Sequence, residues 1–306
     1  MSEASGATGG GAAVGDDAAA GDDAAVADDA VSADGGPRGE AVDPVPEVDA
    51  DAERERIGAF LRRSVAEADA EGVVVNMSGG LDSTVTAALA VEALGPDRVH
   101  GLALPSNKTG DANARDAEAL ARALGIELDT VHLQPLVAAF GSAVPDRFDL
   151  HGDPMATGNL VARLRMAVAY LAANATNRLV LGTTNRSERL LGYYTKHGDG
   201  AADLLPLGHL YKTQVRTLAE ALDVPSFVLD RPATAGFLLG QYDRDELGAP
   251  YEVVDPVLRL AVDEGVDGPA VADRLGVAEE TVADLLARHA ASDHKRARPP
   301  TPADGD

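Results

Sequence analysis

The chain has 306 residues and a formal net charge of −24, and it contains no cysteine. The absence of cysteine excludes disulfides, thiolate metal sites, iron–sulfur clusters and a cysteine nucleophile. The acidic excess argues against nucleic acid and anionic membranes as partners. No apolar stretch reaches the ~18 residues of a membrane span and the N-terminus has no signal-peptide pattern, so we predict a cytoplasmic protein.

The beginning of the chain differs in composition from the rest. Residues 1–53 are mostly Ala, Gly and Asp, with fourteen acidic residues against one arginine. Such a segment buries too little apolar surface to offset its ordering entropy. We therefore predict a disordered acidic tail over residues 1–50 and a folded domain over residues 51–306. Lysine occurs only four times in the whole chain, a bias that resembles halophilic proteins, in which a carboxylate-rich surface stays soluble in high salt.

The folded region alternates apolar strands with helical stretches. In chain order, the patterns predict a helix over 52–70, strand 73–77, helix 84–94, strand 99–104, a polar loop over 105–111, helix 112–124, strand 128–133, helix 159–177, strand 179–182, a mobile loop over 191–206, helix 212–222, an irregular excursion over 225–241 and helices over 255–291. This alternation predicts an α/β fold, a doubly wound, mostly parallel sheet flanked by helices. Ligands of such sheets bind beyond the carboxyl ends of the strands.

A glycine turn, Ser78-Gly-Gly-Leu-Asp-Ser83, joins the first strand to its helix. The glycines let the backbone approach an anion closely, and the free N–H groups at the start of the helix favour negative charge. The hydroxyls of Ser78, Ser83 and Thr84 add donors. Asp82 would repel a phosphate unless a divalent cation lay between them, so we interpret it as a Mg²⁺ ligand. No lysine lies near, so this is not a Walker A loop, and a capped structural turn is the alternative.

A second polar cluster follows the fourth strand. It reads Gly182-Thr-Thr-Asn-Arg-Ser-Glu188 and continues into Gly192-Tyr-Tyr-Thr-Lys-His-Gly-Asp199 and Asp203-Leu-Leu-Pro-Leu207. The first turn resembles the pyrophosphate loop of the N-type ATP pyrophosphatases. With the later motifs in this order, the chain resembles the NAD synthetases, which amidate nicotinic acid adenine dinucleotide (deamido-NAD). The resemblance extends over residues 52–300 and includes 158–166, 210–215, 232–234 and 294–296.

The resemblance implies an adenine nucleotide alpha-hydrolase-like, Rossmann-like fold and a set of site residues. It implies catalytic roles for Asp82, Glu188 and Lys212, with Asp82 and Glu188 holding Mg²⁺. It implies ATP binding by Asn76, Met77, Ser78, Gly79, Gly80, Leu81, Asp82, Ser83, Thr183, Lys212 and Thr234. It implies deamido-NAD binding by Arg163, Lys196, Asp203, His294 and Lys295.

Several of these residues have a structural alternative. Glu188 could be a helix-start glutamate, Thr183 a helix N-cap and Asp203 a turn cap. Lys196 and Lys212 could be solvated surface cations, although lysine is scarce in this chain.

Three neighbouring residues have weaker interpretations. Arg165 could be structural. Tyr170 suits core packing better than stacking on nicotinate or adenine. His197 has no role that the pattern supports.

The implied reaction is ATP-dependent amidation of deamido-NAD through an acyl-adenylate, giving NAD, AMP and pyrophosphate. The chain lacks the length and the cysteine for a nitrilase-like glutaminase domain, so we expect free ammonia, unless a separate amidase subunit delivers it. The resemblance also implies a homodimer with the site near its interface.

Two other classes of function stay open. One is another N-type ATP pyrophosphatase, such as a GMP synthetase-like amidotransferase or a tRNA-thiolation enzyme. The other is a non-catalytic nucleotide-binding protein, suggested by a helix-turn-helix-like stretch over residues 268–286. A DNA reader would need basic residues there, whereas Glu279, Glu280 and Asp284 are acidic.

Overall fold

The computed structural model describes residues 45–148, 150, 152–234 and 242–302. Residues 1–44 lie outside this range, so the disordered tail stays a prediction. The strands are β1 Gly72–Asn76, β2 Val99–Ala103, β3 Glu127–Thr130 and β4 Arg178–Leu181. The helices are α1 Ala50–Glu67, α2 Leu81–Leu94, α3 Lys108–Leu124, α4 Gln134–Ala143, α5 Pro154–Ala175, α6 Arg186–Leu191, α7 Lys212–Ala221, α8 Ser226–Leu229, α9 Asp243–Leu247, α10 Tyr251–Leu258, α11 Gly268–Leu275, α12 Glu279–Ala291 and α13 Asp293–Arg296.

The four strands form one parallel sheet in the order β3-β2-β1-β4. Strand β1 is central, with Val73 opposite Val99 on one side and Leu179 on the other. The chain winds outward from β1 to β3 and then returns to the other side of β1, so the winding direction reverses between β1 and β4. Doubly wound sheets bind ligands at this switch point. The predicted α/β class is confirmed, and the two polar clusters follow the two strands that flank the switch point.

The core has one layer on each face of the sheet. Val73, Val74 and Val75 of β1 are all fully buried, which explains the continuous apolar run of this central parallel strand. Val73 and Val75 belong to the cluster that contains residues of α1, α2, α3 and α7. Val74 belongs to a second cluster, which contains residues of α5. Strand β3, at the edge of the sheet, is mostly exposed.

The C-terminal helices form a third apolar cluster. Residues of α10, α11 and α12 pack there with Leu191, the last residue of α6. The helix-turn-helix-like stretch is α11 and α12, which bury Val271, Leu275 and Leu285 in this cluster. Its acidic residues are exposed. No helix in the described residues has the length and apolar character needed to cross a bilayer.

Several predicted boundaries were wrong. The loop over 105–111 ends at Asn107, whose side chain accepts a hydrogen bond from Gly110 N and caps α3. Helix α2 begins at Leu81 rather than residue 84, which places Asp82 in its first turn. Strand β3 ends at Thr130 rather than residue 133.

Some elements were not predicted. The predicted elements did not include α4, α6 or α9, and α8 interrupts the predicted excursion, of which residues 235–241 lie outside the described range. The helical stretch over 255–291 is divided by a π-helical turn at Arg259–Asp263 and by Gly276, at φ +63°.

Candidate functional site

The glycine turn lies at the switch point of the sheet, and hydroxyl groups at the start of α2 fix its conformation. Gly79 has φ +72°, a conformation that favours glycine. Ser83 Oγ and Thr84 Oγ1 donate to Gly80 O at 3.1 and 2.8 Å. Gly80 is the N-cap of α2 and provides no side-chain acceptor for the first amides of the helix. The turn and helix start therefore present donors where an anion can bind.

A lysine and two carboxylates meet beside this turn. Lys212 Nζ forms an ion pair with Asp82 Oδ2 and lies 3.6 Å from Glu188 Oε1. Asn185 Nδ2 donates to Asp82 Oδ1 at 3.0 Å. The side chains of Lys212, Asp82 and Glu188 are only 11, 16 and 17% exposed. The structure thus brings together the three residues predicted to be catalytic, and it shows that Lys212 is not a solvated surface cation.

The alternatives for Glu188 and Thr183 have different outcomes. Glu188 is the N3 residue of α6 and forms a capping box with Asn185, so it stabilises the helix start in addition to facing Lys212. The N-cap of α6 is Asn185, so the interpretation of Thr183 as the N-cap was wrong.

The electrostatics of the cluster are unbalanced. Burial and the nearby charge of Asp82 together raise the pKa of Glu188 to about 8, although Lys212 opposes both effects. Burial lowers the pKa of Lys212, but the carboxylates of Asp82 and Glu188 outweigh it and the net shift is upward. One lysine therefore remains charged but does not fully stabilise two buried carboxylates.

A buried aspartate fixes the two segments that carry Glu188 and Lys212. Asp255 of α10 is fully buried and accepts from Ser187 Oγ at 2.5 Å. It also accepts from Thr213 N and Oγ1, both at 2.9 Å. Ser187 Oγ in turn accepts from Lys212 N at 2.9 Å. Each contact lies next to a predicted catalytic residue, so the network orients α6 and α7 relative to each other.

A cavity of about 670 Å³ opens beside the cluster. Among the described residues, its wall includes Glu188 and most of the predicted ATP-binding set, namely Ser78, Gly80, Leu81, Asp82, Ser83, Thr183, Lys212 and Thr234. Met77 is instead buried in the apolar cluster that also contains Val73 and Val75. Asn76 ends β1, and its Oδ1 is buried without a hydrogen-bond partner in the described structure. The size and polarity of the cavity suit a nucleotide.

Most of the residues predicted to bind deamido-NAD lie in a different place. Arg163 donates to Lys196 O at 3.3 Å, and Lys196 Nζ donates to His294 O. Lys295 Nζ donates to Gly192 O and Tyr194 O at 2.6 and 2.8 Å. Lys295 also lines a smaller cavity of about 140 Å³. Thr184 lines both cavities, so the two are adjacent.

Asp203 and Tyr170 form a separate pair at the edge of the sheet. Asp203 Oδ2 accepts from Val180 N at 2.8 Å, and Asp203 Oδ1 accepts from Tyr170 OH at 3.2 Å. Burial and the Asp203 carboxylate raise the pKa of Tyr170 to about 12. Both side chains thus have structural contacts here, and the role of Asp203 in binding substrate stays a prediction.

Sequence reasoning missed several residues of the cavity wall. Asp243 is buried there and accepts from Tyr251 OH at 3.0 Å and Tyr193 OH at 3.2 Å. Arg165 also lines the cavity, together with Asp199. Burial lowers the pKa of Arg165, and Asp199 opposes that shift. A usable signal existed for Asp199, which ends the motif that begins at Gly192. Asp243 had none, because Tyr193 is distant in the chain and Tyr251, eight residues away, belongs to no motif.

The carboxylate pair fits a magnesium ion. Both carboxylates converge on Lys212 Nζ, so a single cation faces two acidic groups at this site. Oxygen ligands suit Mg²⁺, which commonly binds one or two carboxylates together with substrate phosphates and water. Within the described residues no group of three or more His, Cys, Asp or Glu side chains could hold a metal. A magnesium ion here would therefore complete its coordination with phosphate oxygens or water.

Comparison with known proteins adds independent observations. Residues 53–299 match the family model described as NAD synthase. The chain is 43% identical over 256 residues to the NH(3)-dependent NAD(+) synthetase of Methanosarcina mazei, covering 83% of this chain and 99% of that protein. It is 44% identical over 249 residues to the NH(3)-dependent NAD(+) synthetase of Halobacterium salinarum, covering 81% and 92% of the two chains.

A solved structure agrees with the fold. The structure of NMN synthetase from Francisella tularensis superposes with a TM-score of 0.73 at 36% identity, covering 84% of this chain and 99% of that one. The family model spans nearly all of the described chain, and the curated relatives are matched over almost their full length. The chain belongs to the NAD synthase family.

Proposed function

We propose that this protein is an ammonia-dependent NAD(+) synthetase that amidates deamido-NAD at the expense of ATP. The observation that carries the proposal is the buried cluster of Lys212, Asp82 and Glu188 at the glycine turn, where a nucleoside triphosphate would meet a cation and paired carboxylates. The products are NAD, AMP and pyrophosphate. Because no covalent bond to the protein is needed, catalysis rests on positioning and charge stabilisation.

The ATP half of the reaction uses residues on the cavity wall. The amides at the start of α2 bind phosphate oxygens, and Lys212 offsets the charge that develops on the departing pyrophosphate. Asp82 and Glu188 would hold Mg²⁺, which supplies charge neutralisation to the ATP phosphates when bound. Thr183 and Thr234 bind the nucleoside. Asp255 acts from outside the cavity by keeping Ser187 and Thr213 in place.

The acid half of the reaction uses Arg163, Lys196, Asp203, His294 and Lys295. The nicotinate carboxylate attacks the α-phosphate of ATP, and pyrophosphate leaves. Ammonia then attacks the acyl carbon of the adenylate, and AMP departs. The segment from Gly192 to Ala202 closes over the site and keeps water from hydrolysing the adenylate.

Free ammonia is the nitrogen source we propose. The chain has no cysteine with which to hydrolyse glutamine, and its curated relatives carry the name NH(3)-dependent NAD(+) synthetase. A separate amidase subunit could still deliver the ammonia in the cell. Such a partner would lower the ammonium concentration needed without changing the products.

We also propose a homodimer, with the acid-binding residues near its interface. Large apolar side chains are exposed on α4 (Leu136 and Phe140) and α5 (Met155 and Leu171). These helices contact each other, and exposed apolar surface of this kind marks interaction sites. The lysine-poor acidic composition supports a cytoplasm of high salt as its setting.

The proposal is tested by incubating the full chain with deamido-NAD, ATP, Mg²⁺ and ammonium in molar salt. NAD, AMP and pyrophosphate should form in equal amounts. Xanthosine monophosphate tests the GMP synthetase-like alternative, and the acid form of nicotinamide mononucleotide tests the activity named for the Francisella relative. Amidation of either in preference to deamido-NAD would contradict the proposed substrate, and no product from any acceptor would favour a non-catalytic protein.

A further inference from the structure

The glycine turn forms a hydrogen bond with Arg231, a residue that no motif identified. Arg231 follows α8, far along the chain from the turn. Its Nη1 donates to Gly79 O at 3.2 Å, and its Nη2 donates to Asp116 Oδ2 of α3 at 2.5 Å. One guanidinium thus joins the turn, α3 and the segment that leads to Thr234. The planar fork of arginine suits two simultaneous bonds, which lysine cannot reproduce.

The turn has little freedom on the α3 side. A Cβ atom added to Gly79 would lie 2.9 Å from Asn113 O and 3.1 Å from Asp116 Cβ. Helix α3 therefore contacts the turn directly, and Asp116 belongs both to this contact and to the ion pair with Arg231. Helix α3 and the guanidinium of Arg231 thus both contact the turn at Gly79.

The bond to Gly79 O determines which way this peptide group points. A free carbonyl beside bound phosphate would repel its oxygens, whereas Gly79 O accepts a hydrogen bond from the positively charged Arg231. Arg231 also lines the cavity, and its side chain is 30% exposed. Its positive charge therefore lies beside the donors of the turn and remains accessible to the cavity.

We propose that Arg231 is a positioning residue for the β- and γ-phosphates of the nucleotide. It fixes Gly79 so that the turn presents donors rather than an acceptor, and Asp116 orients its guanidinium. This inference rests on the proposed function, since it assumes that a nucleoside triphosphate is bound at the turn. Its ligand chemistry is the pyrophosphate group, so AMP, which lacks that group, should bind independently of Arg231.

The experiment compares the wild-type chain with R231Q, R231K and D116N. The exposed residue Arg115 lies next to Asp116 on α3, and R115Q is the matched control. ATP, AMP and inorganic pyrophosphate binding are measured by calorimetry with Mg²⁺, and the KM for ATP and for deamido-NAD by steady-state kinetics. Melting temperatures identify any variant that fails to fold.

R231Q should weaken ATP and pyrophosphate binding about tenfold and leave AMP binding within about twofold of wild type, because the fixed Gly79 peptide and the positive charge beside the turn act on the β- and γ-phosphates, which AMP lacks. The KM for ATP should rise in parallel, while that for deamido-NAD stays unchanged. R231K should recover part of the lost affinity for ATP and pyrophosphate, because lysine keeps the charge but cannot form both bonds of the guanidinium. D116N should weaken the binding of these ligands about threefold, because the guanidinium loses its charged partner.

Two results would overturn the inference. One is equal weakening of ATP and AMP in R231K, which would indicate a general structural role. The other is unchanged ATP and pyrophosphate binding in all variants. Inactive wild-type protein would instead count against the proposed function, so the two failures are distinguishable.

Discussion

The two halves of the candidate site differ in how the protein holds its charges. In the ATP half, Lys212 is buried and paired with carboxylates, and a fully buried aspartate fixes its surroundings. In the acid half, Lys196 and Lys295 donate to backbone carbonyl groups, and Arg163 is exposed. The first half is electrostatically preorganised. In the second half, the cations Arg163, Lys196 and Lys295 donate to neutral carbonyl groups.

This difference indicates a division of labour. A buried charge cluster is costly to assemble and is worth most where charge develops in a transition state. Cations held by neutral carbonyl groups exchange partners at lower cost, which suits the binding of an anionic substrate. We therefore expect changes in the buried cluster of Lys212, Asp82 and Glu188 to lower kcat and changes in the acid half to raise the KM for deamido-NAD.

The largest effect should come from D82N, which removes a charge that faces both Lys212 and the proposed Mg²⁺. We expect kcat to fall about 10²–10³-fold, because an electrostatic contact of the transition state is lost. The melting temperature should change little. The control is D97N, at an exposed turn before β2, which should keep full activity. Unchanged turnover of D82N would remove Asp82 from the mechanism.

A smaller and different effect is expected in the acid half. K196Q and K295Q should each raise the KM for deamido-NAD about tenfold, since each removes a charge-assisted contact worth about 1.4 kcal/mol or more. The KM for ATP should stay within about twofold, and the exposed R63Q on α1 is the control. If kcat fell instead and both KM values stayed constant, the comparison between the halves would be wrong.

The fold was largely predictable because it depends on local pattern. The apolar run at β1 and the strand–helix alternation predicted a parallel sheet, and the glycine turn lies at the end of its central strand. Helix α6 was missed because it is short and polar, and only its Asn185–Glu188 capping box indicates it. Helix α4 was missed because its large apolar side chains, Leu136 and Phe140, are exposed. The usual pattern, in which one apolar face of a helix packs on the core, therefore does not identify it.

The residues of the site were predictable only where they belong to sequence motifs. Asp82, Glu188 and Lys212 were found through resemblance, and the structure brings them together. Asp255 and Arg231 were missed because each acts through partners far away in sequence, with no spacing rule that links them. Tertiary contacts of this kind are visible only in three dimensions.

The charge imbalance in the ATP half predicts a gain in stability from E188Q. Because the folded-state pKa of Glu188 is about 8, above the ordinary 4.5, this group stabilises the fold below pH 4.5 and that contribution is lost as the pH rises through 8. Without Mg²⁺ at pH 8.5, E188Q should therefore melt roughly 3–6 °C above wild type, for a gain of about 1–2 kcal/mol. At pH 4.5 the two should melt together.

The glutamine retains the helix cap, so E188Q isolates the effect of charge. Activity should be lost in this variant despite the added stability. A lower melting temperature at pH 8.5 would show that the ionised carboxylate stabilises the metal-free fold.

The smallest effect is expected outside both halves. Removing residues 1–44 should leave kcat and both KM values within about twofold, because a low-complexity acidic segment has little surface with which to pack. The deletion should end before Val45, since Val45 packs against the C-terminal helices and Pro46 O accepts from Gln214. Solubility in molar salt should be compared for both proteins. A large loss of activity would show that the tail contributes to the site.

The most direct test of the proposed mechanism follows a labelled oxygen atom from the carboxylate of deamido-NAD to AMP. Deamido-NAD labelled with ¹⁸O in its nicotinate carboxylate is converted in the presence of ATP, Mg²⁺ and ammonium, and AMP is analysed by mass spectrometry. If the carboxylate attacks the α-phosphate, one labelled oxygen should appear in AMP for each NAD formed. NAD formation with unlabelled AMP, or with ADP and phosphate as products, would contradict the acyl-adenylate mechanism.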